Sequence, residues 1–169
     1  MRKTILIGVV LLLGLALLAN AGYGYDMSGE FQRMIGSNPL DAAYDRESKA
    51  VSNGKDWGTQ TWVELETKYA KLWDGELNAI YRKLLAVLSP GEQAKLRTAQ
   101  RGWLQYHRNE AEFVAATLLA TRKDGPILGS QGRVDSILAY KNRIRSRTLE
   151  LMEYFYLLRG EVRFVYREP

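Results

Sequence analysis

Between Thr61 and Leu88, apolar residues fall at Tyr69, Leu72, Trp73, Leu77, Ile80, Tyr81, Leu84, Leu85 and Leu88. Steps of three and four place them on one face of a long helix. The pattern breaks at "LSPGEQ". There Ser89 is a good N-cap, Pro90 suits the first helical position, and Glu92 stands three residues beyond the serine, which is a capping box. A second long helix therefore starts almost at once, and the two must fold back antiparallel. It is predicted to run to about Lys123, where Asp124-Gly125-Pro126 stops it. After the loop "DGPILGSQG", a last helix is predicted from about Gln131 to Leu158. Ile137, Ile144, Leu151 and Leu158 recur every seventh residue, with Val134, Lys141, Thr148 and Phe155 at the complementary positions. That is a heptad seam. Lys141 and Thr148 interrupt it, which favours a local bundle over an independent coiled coil.

The flanks are less regular. "GYGYDMSGEFQRMIGSNP" predicts a loose stretch with a short helix around Gly29 to Ile35. A further helix is predicted from Leu40 to Val51, before a loop on Asn53-Gly54. In the tail "EVRFVYREP", Val162, Phe164 and Tyr166 alternate with Arg163, Val165 and Arg167, which predicts an extended segment. The expected fold is all-α: an antiparallel bundle of three long helices with shorter helices before it. The expected layout is a leader over 1–21, a loose segment over 22–37, the bundle over 38–160 and a tail over 161–169.

The leader reading rests on Arg2 and Lys3, an uncharged run from Thr4 to Asn20, and Ala19-Asn20-Ala21 as a small-x-small cleavage signal. The strongly apolar part, Ile5 to Leu18, is short of the about 20 residues a membrane-spanning helix needs. No cysteine follows it to carry a lipid anchor. An exported, periplasmic or envelope protein of a bacterium is expected. It would stand on packing alone, because the chain has no cysteine for a disulfide.

Charge changes the picture in one respect. Without the leader, 22 Lys and Arg face 19 Asp and Glu, a net +3. Residues 22–89 carry 8 basic and 10 acidic side chains, and residues 90–169 carry 14 and 9. The protein is thus dipolar, and no basic block resembles a nucleic-acid-binding tract.

Candidate chemistry concentrates in "TAQRGWLQYHRNE", which holds the chain's one histidine, His107. On a helix, Gln100, Trp103 and His107 share an arc with Leu96, Val114 and Leu118, while Arg101, Arg108 and Glu112 lie opposite. His107 could serve as a general base. It has no G-x-S-x-G, H-E-x-x-H or paired-carboxylate partner, so it reads as a core histidine bonded to another helix. Gln100, as a buried amide, must find a partner, and Asn78 and Tyr81 on the preceding helix are the nearest candidates. Trp73, Trp103, Tyr69, Tyr81 and Tyr106 read as aromatic packing between helices rather than a ligand-stacking surface. Arg143, Arg145 and Arg147 read as a solvated face. No catalytic, cofactor or metal site is expected; without cysteine and with one histidine, thiolate and His-rich metal sites are excluded.

The residues Trp73, Leu77, Asn78 and Tyr81, followed by Leu96, Ala99, Gln100, Arg101, Trp103 and Tyr106, resemble the pattern of the lysozyme inhibitor LprI-like family. The likeness is best from Trp73 to Ala116 and thinner to about Leu158. Members of that family often carry cysteines, and this chain departs from them in having none. The resemblance implies an exported domain in which these motif residues are structural, and a protein partner such as lysozyme or another envelope protein. A binding protein is therefore expected, not an enzyme: an inhibitor of lysozyme or a related wall hydrolase, or else an envelope adaptor or immunity-type protein. Common lysozymes are basic, so an inhibitor should offer acidic surface. Asp41, Asp45, Glu47, Glu64, Glu66, Asp74 and Glu76 are the candidates.

Overall fold

A computed structural model describes residues 29–55 and 58–168; the leader lies outside them. The described residues form five helices: α1 (Glu30–Gly36), α2 (Pro39–Asn53), α3 (Thr59–Val87), α4 (Pro90–Thr117) and α5 (Gln131–Arg159). No strand occurs among them, and the architecture is the expected all-α bundle with three long helices.

α3 and α5 form its body. Lys141 meets Glu66 and Thr148 meets the Trp73 carbonyl, so the two helices run parallel. Gln100 meets Arg147 and His107 meets Arg143, so α4 runs antiparallel to α5. Tyr69, Trp73, Leu77, Ile80 and Leu84 of α3 are buried against Ile144, Leu151, Met152 and Phe155 of α5. Each large apolar side chain so buried contributes roughly 1.5–3 kcal/mol.

The two polar interruptions of the α5 seam are matched across this interface. Lys141 Nζ lies 2.7 Å from Glu66 Oε2, with both side chains almost wholly buried. The Tyr44 hydroxyl of α2 donates to Glu66 Oε1 at 2.5 Å, and the ammonium lies 3.5 Å from the centre of the Tyr44 ring. Thr148 returns its hydroxyl to the Ile144 carbonyl at 2.8 Å. Val134, Lys141, Ile144, Thr148, Leu151 and Phe155 of the seam are buried, Ile137 is half buried, and Leu158 is half exposed at its end.

The shorter elements close one side. Phe31 and Ile35 of α1 and Leu40 and Ala43 of α2 are buried. Asn38 caps α2 by accepting the Asp41 N–H at 2.8 Å. The tail is extended as the alternation predicts. Val162, Phe164 and Tyr166 pack on the core while Arg163, Val165 and Arg167 face solvent. Phe164 meets Trp73 edge to face, with ring centres 6.1 Å apart. Buried Glu76 accepts the N–H groups of Val165 (3.1 Å) and Tyr166 (2.5 Å).

Glu92 accepts both the N–H and the hydroxyl of Ser89, at 2.8 and 2.6 Å, at the start of α4. The other end of α4 departs from expectation. The helix stops at Thr117 rather than near Lys123. Its last carbonyls find partners in the following loop: Leu128 N–H donates to Leu118 O, and Arg122 donates to Thr117 O. Tertiary bonding replaces another turn of helix there. The loop then lies so close to α5 that a Cβ at Gly132 would come 2.1 Å from Leu128 Cβ, so the position requires glycine. Gly160 ends α5 at φ 70°, a left-handed conformation that glycine adopts freely.

Candidate functional site

α4 touches the body along a narrow seam. Its only fully buried side chains are polar: Gln100 and His107. Each meets an arginine of α5. Arg147 Nε donates to Gln100 Oε1 at 3.0 Å, and Arg143 Nε donates to His107 Nδ1 at 3.4 Å. Gln100 thus finds the interhelical partner expected of it, but on α5 and not at Asn78 or Tyr81. The amide of Asn78 turns instead to its own helix, donating to the Asp74 carbonyl and carboxylate at 2.8 and 3.0 Å.

His107 is 5% exposed and stacks on Trp103, with ring centres 4.9 Å apart and planes within 10°. Tyr140 covers it at 4.2 Å. Burial, helped by Arg143, pulls its pKa below the ordinary value. Because Nδ1 accepts from Arg143, the neutral ring carries its proton on Nε2. No carboxylate hydrogen-bonds the ring, and the surroundings are those of a core histidine.

The arginines of α5 do not form the expected solvated face. Arg147 is buried between Gln100 and Glu150 (2.7 Å). Arg145 is half buried on Asp41, and Arg143 half buried on His107. Periodicity misses them because long charged side chains can bury their stems and heads when a partner is supplied from another helix.

A groove of about 290 Å³ opens between α3 and α4. Asp74, Leu77, Asn78 and Tyr81 form one wall, and Arg97, Gln100, Arg101 and Leu104 form the other. Five of the motif residues, Leu77, Asn78, Tyr81, Gln100 and Arg101, therefore converge in one place. The others divide. Trp73 is core, and Leu96 and Trp103 are half buried in the α4 seam. Ala99 is exposed and Tyr106 is 51% exposed. The expectation of core packing fails for Tyr106, which lies on the face of α4 turned away from the seam. Arg101 is exposed too, donating to Thr98 Oγ1 at 3.0 Å.

The α4 seam and this groove lie within the stretch matched by the family of the lysozyme inhibitor LprI, residues 52–151. The chain belongs to that family. The match spans more than half of the chain and takes in α3, α4 and α5 as far as Leu151. No curated protein and no solved structure matches the chain. The family is described as that of a lysozyme inhibitor.

The acidic surface expected of an inhibitor is smaller than the sequence suggests. Glu66 and Glu76 are each 1% exposed and serve the core. Asp41 is paired with Arg145, and Glu47 with Lys68 at 2.7 Å. Asp45, Glu64 and Asp74 remain among the exposed or half-exposed acids of this set without an ion pair. Among the described residues no cluster of three His, Asp or Glu could hold a metal, and no helix is long and apolar enough to cross a membrane.

Proposed function

We propose that this protein is an exported inhibitor of lysozyme or of a related cell-wall hydrolase, and that it acts by binding without chemistry of its own. The observation that carries this reading is the LprI match across α3, α4 and α5. The leader-like N-terminus supports delivery to the periplasm or envelope, with cleavage after Ala21. The bundle over 38–160 is the working domain. The α3–α4 groove is the proposed contact surface, because the exposed Asn78 and Arg101 line it beside half-buried Tyr81. Purified protein should slow the lysis of cell-wall suspensions by at least one class of lysozyme. Full lysis by every type tried, at stoichiometric excess of this protein, overturns the reading.

One observation favours an envelope adaptor or immunity-type role as the second reading. Tyr106 and Phe113 lie 51% and 57% exposed on the outer side of α4, a face that a partner helix could cover. Recovery of one envelope protein, with no hydrolase beside it, in a pull-down that fails with Phe113→Lys would favour this alternative.

A further inference from the structure

Beyond the motif groove, towards the C-terminal end of α4, the three long helices part around a second and larger cavity of about 530 Å³. Most of its wall is apolar, with Ala70 from α3, Ala111, Val114 and Ala115 from α4, and Ile137 and Ala139 from α5, while Thr67, Ser136 and Tyr140 add hydroxyls. That volume lies within the range of small-molecule sites, roughly 300–1,000 Å³. The alanine, valine and isoleucine part of the wall offers water few partners, so that part of the space favours an apolar chain.

The mouth is cationic. Lys71 and Arg143 line it, with Asp74 as the acid among the lining residues. Arg143 spends its Nε on His107, and no carboxylate lies within ion-pair range of Lys71 or Arg143 among the described residues. Asp74 is engaged by the Asn78 amide at 3.0 Å. The balance of the three charges is one positive. A guanidinium also matches a carboxylate in shape, through paired N–H donors.

We propose that this cavity binds the chain of a single-chain fatty-acid anion, its carboxylate held at the mouth by Lys71 and Arg143. A net charge of one suits a carboxylate better than a dianionic phosphate head. A gap between three helices, half open to solvent, suits a flexible chain better than the surface of a folded protein.

The test is calorimetric titration of the purified protein with sodium laurate below its micelle concentration. Dodecyl phosphate and dodecyltrimethylammonium serve as comparison ligands. The expected result is saturable binding of one laurate per chain, tighter than either comparison ligand. Lys71→Glu, at an exposed position, should weaken laurate by about fivefold. Ala115→Phe should abolish the binding while far-UV circular dichroism stays helical. Equal affinity for the cationic amphiphile, or unchanged affinity in Lys71→Glu, overturns the proposal, as does absence of saturable binding. Tighter dodecyl phosphate binding reassigns the head group and overturns the carboxylate assignment. Because Lys71 faces solvent, that variant decides the matter even if Ala115→Phe fails to fold.

Discussion

Replacing Lys141 by methionine removes one half of an ion pair that has almost no contact with solvent. The ammonium lies 2.7 Å from Glu66, whose side chain is 2% exposed. Burial draws the Lys141 pKa below its ordinary value even though Glu66 pulls it upward. In Lys141→Met the Glu66 carboxylate keeps only the Tyr44 hydroxyl, at 2.5 Å. Breaking a buried pair from one side costs about 3–5 kcal/mol. At about 2–4 °C per kcal/mol for a chain of this size, the melting temperature should fall by roughly 10 °C. Glu66→Leu should cost a similar amount near neutrality, because it strands the ammonium. With its folded pKa depressed further, that variant should regain stability as pH rises towards the unfolded-lysine value, since the unfolded chain then holds the extra proton less firmly. The double variant loses both charges together and leaves only the Tyr44 hydroxyl without its acceptor, a cost of about 1 kcal/mol. Urea unfolding of all four proteins, followed by circular dichroism, gives the double-mutant cycle. A coupling of about 3 kcal/mol or more is expected. Two mild single variants, or costs that simply add in the double, would refute the reasoning.

Four further outcomes are expected. Gln100→Leu leaves the buried Arg147 Nε without its acceptor and should destabilise by about 1–3 kcal/mol; in the same urea assay Asn78→Ala, on the exposed side of the groove, should cost less than about 1 kcal/mol. Glu76→Leu removes the anchor of the tail, so trypsin should cut after Arg163 faster than in the parent protein while the bundle stays folded. His107 has a folded pKa below its unfolded value of about 6.5, so its contribution is intact above that pH and is lost as pH falls from there towards the folded pKa; the stability gap between the parent and His107→Gln should narrow over that window, and a constant gap would remove His107 as the cause. Because the acids of α2 and α3 are largely buried or paired, inhibition of a hydrolase should change by less than about threefold when salt is raised from about 0.05 M to about 0.5 M.

The long elements were legible because their signals are local. A step of three and four marks α3, a capping box opens α4, and a heptad marks α5. These features depend on neighbours in sequence, and α5 keeps its predicted limits to within a residue. The end of α4 was not legible, because the partners of its last carbonyls lie in a loop that returns to it from Leu128. Buried charge was the larger failure. Glu66, Glu76 and Arg147 look like surface residues in a single helix, and Lys141 looks like an interruption of its seam. Each is buried only because another segment supplies its counterpart: α5, the tail, α4 and α3 respectively. A pattern read one helix at a time cannot show such pairs. The motif was recognisable, but its division into roles was not. Ala99, Arg101 and Tyr106 stand beside Gln100 and Trp103 in sequence, yet they fall on the free sides of a helix that touches the body through a thin seam.

That thin seam bears on how an inhibitor of this kind could work. α3 and α5 hold the greasy core, so they supply a rigid body whose stability does not depend on what covers α4. α4 is fixed to it by half-buried apolar residues and by two polar rungs, Gln100 to Arg147 and His107 to Arg143. Hydrogen bonds are directional, so the rungs fix the register and rotation of α4 while adding little apolar burial. They thereby fix which side chains enter the groove. Gln100 reaches inward at the same level at which Arg101 turns out, opposite Asn78 and Tyr81. A change at Gln100 should therefore alter the groove both at its own wall and through the setting of α4, whereas a change at Arg101 should alter binding and leave stability nearly unmoved. On the proposed reading the motif has two separable duties: its buried members hold the wall in place, and its exposed members meet the partner.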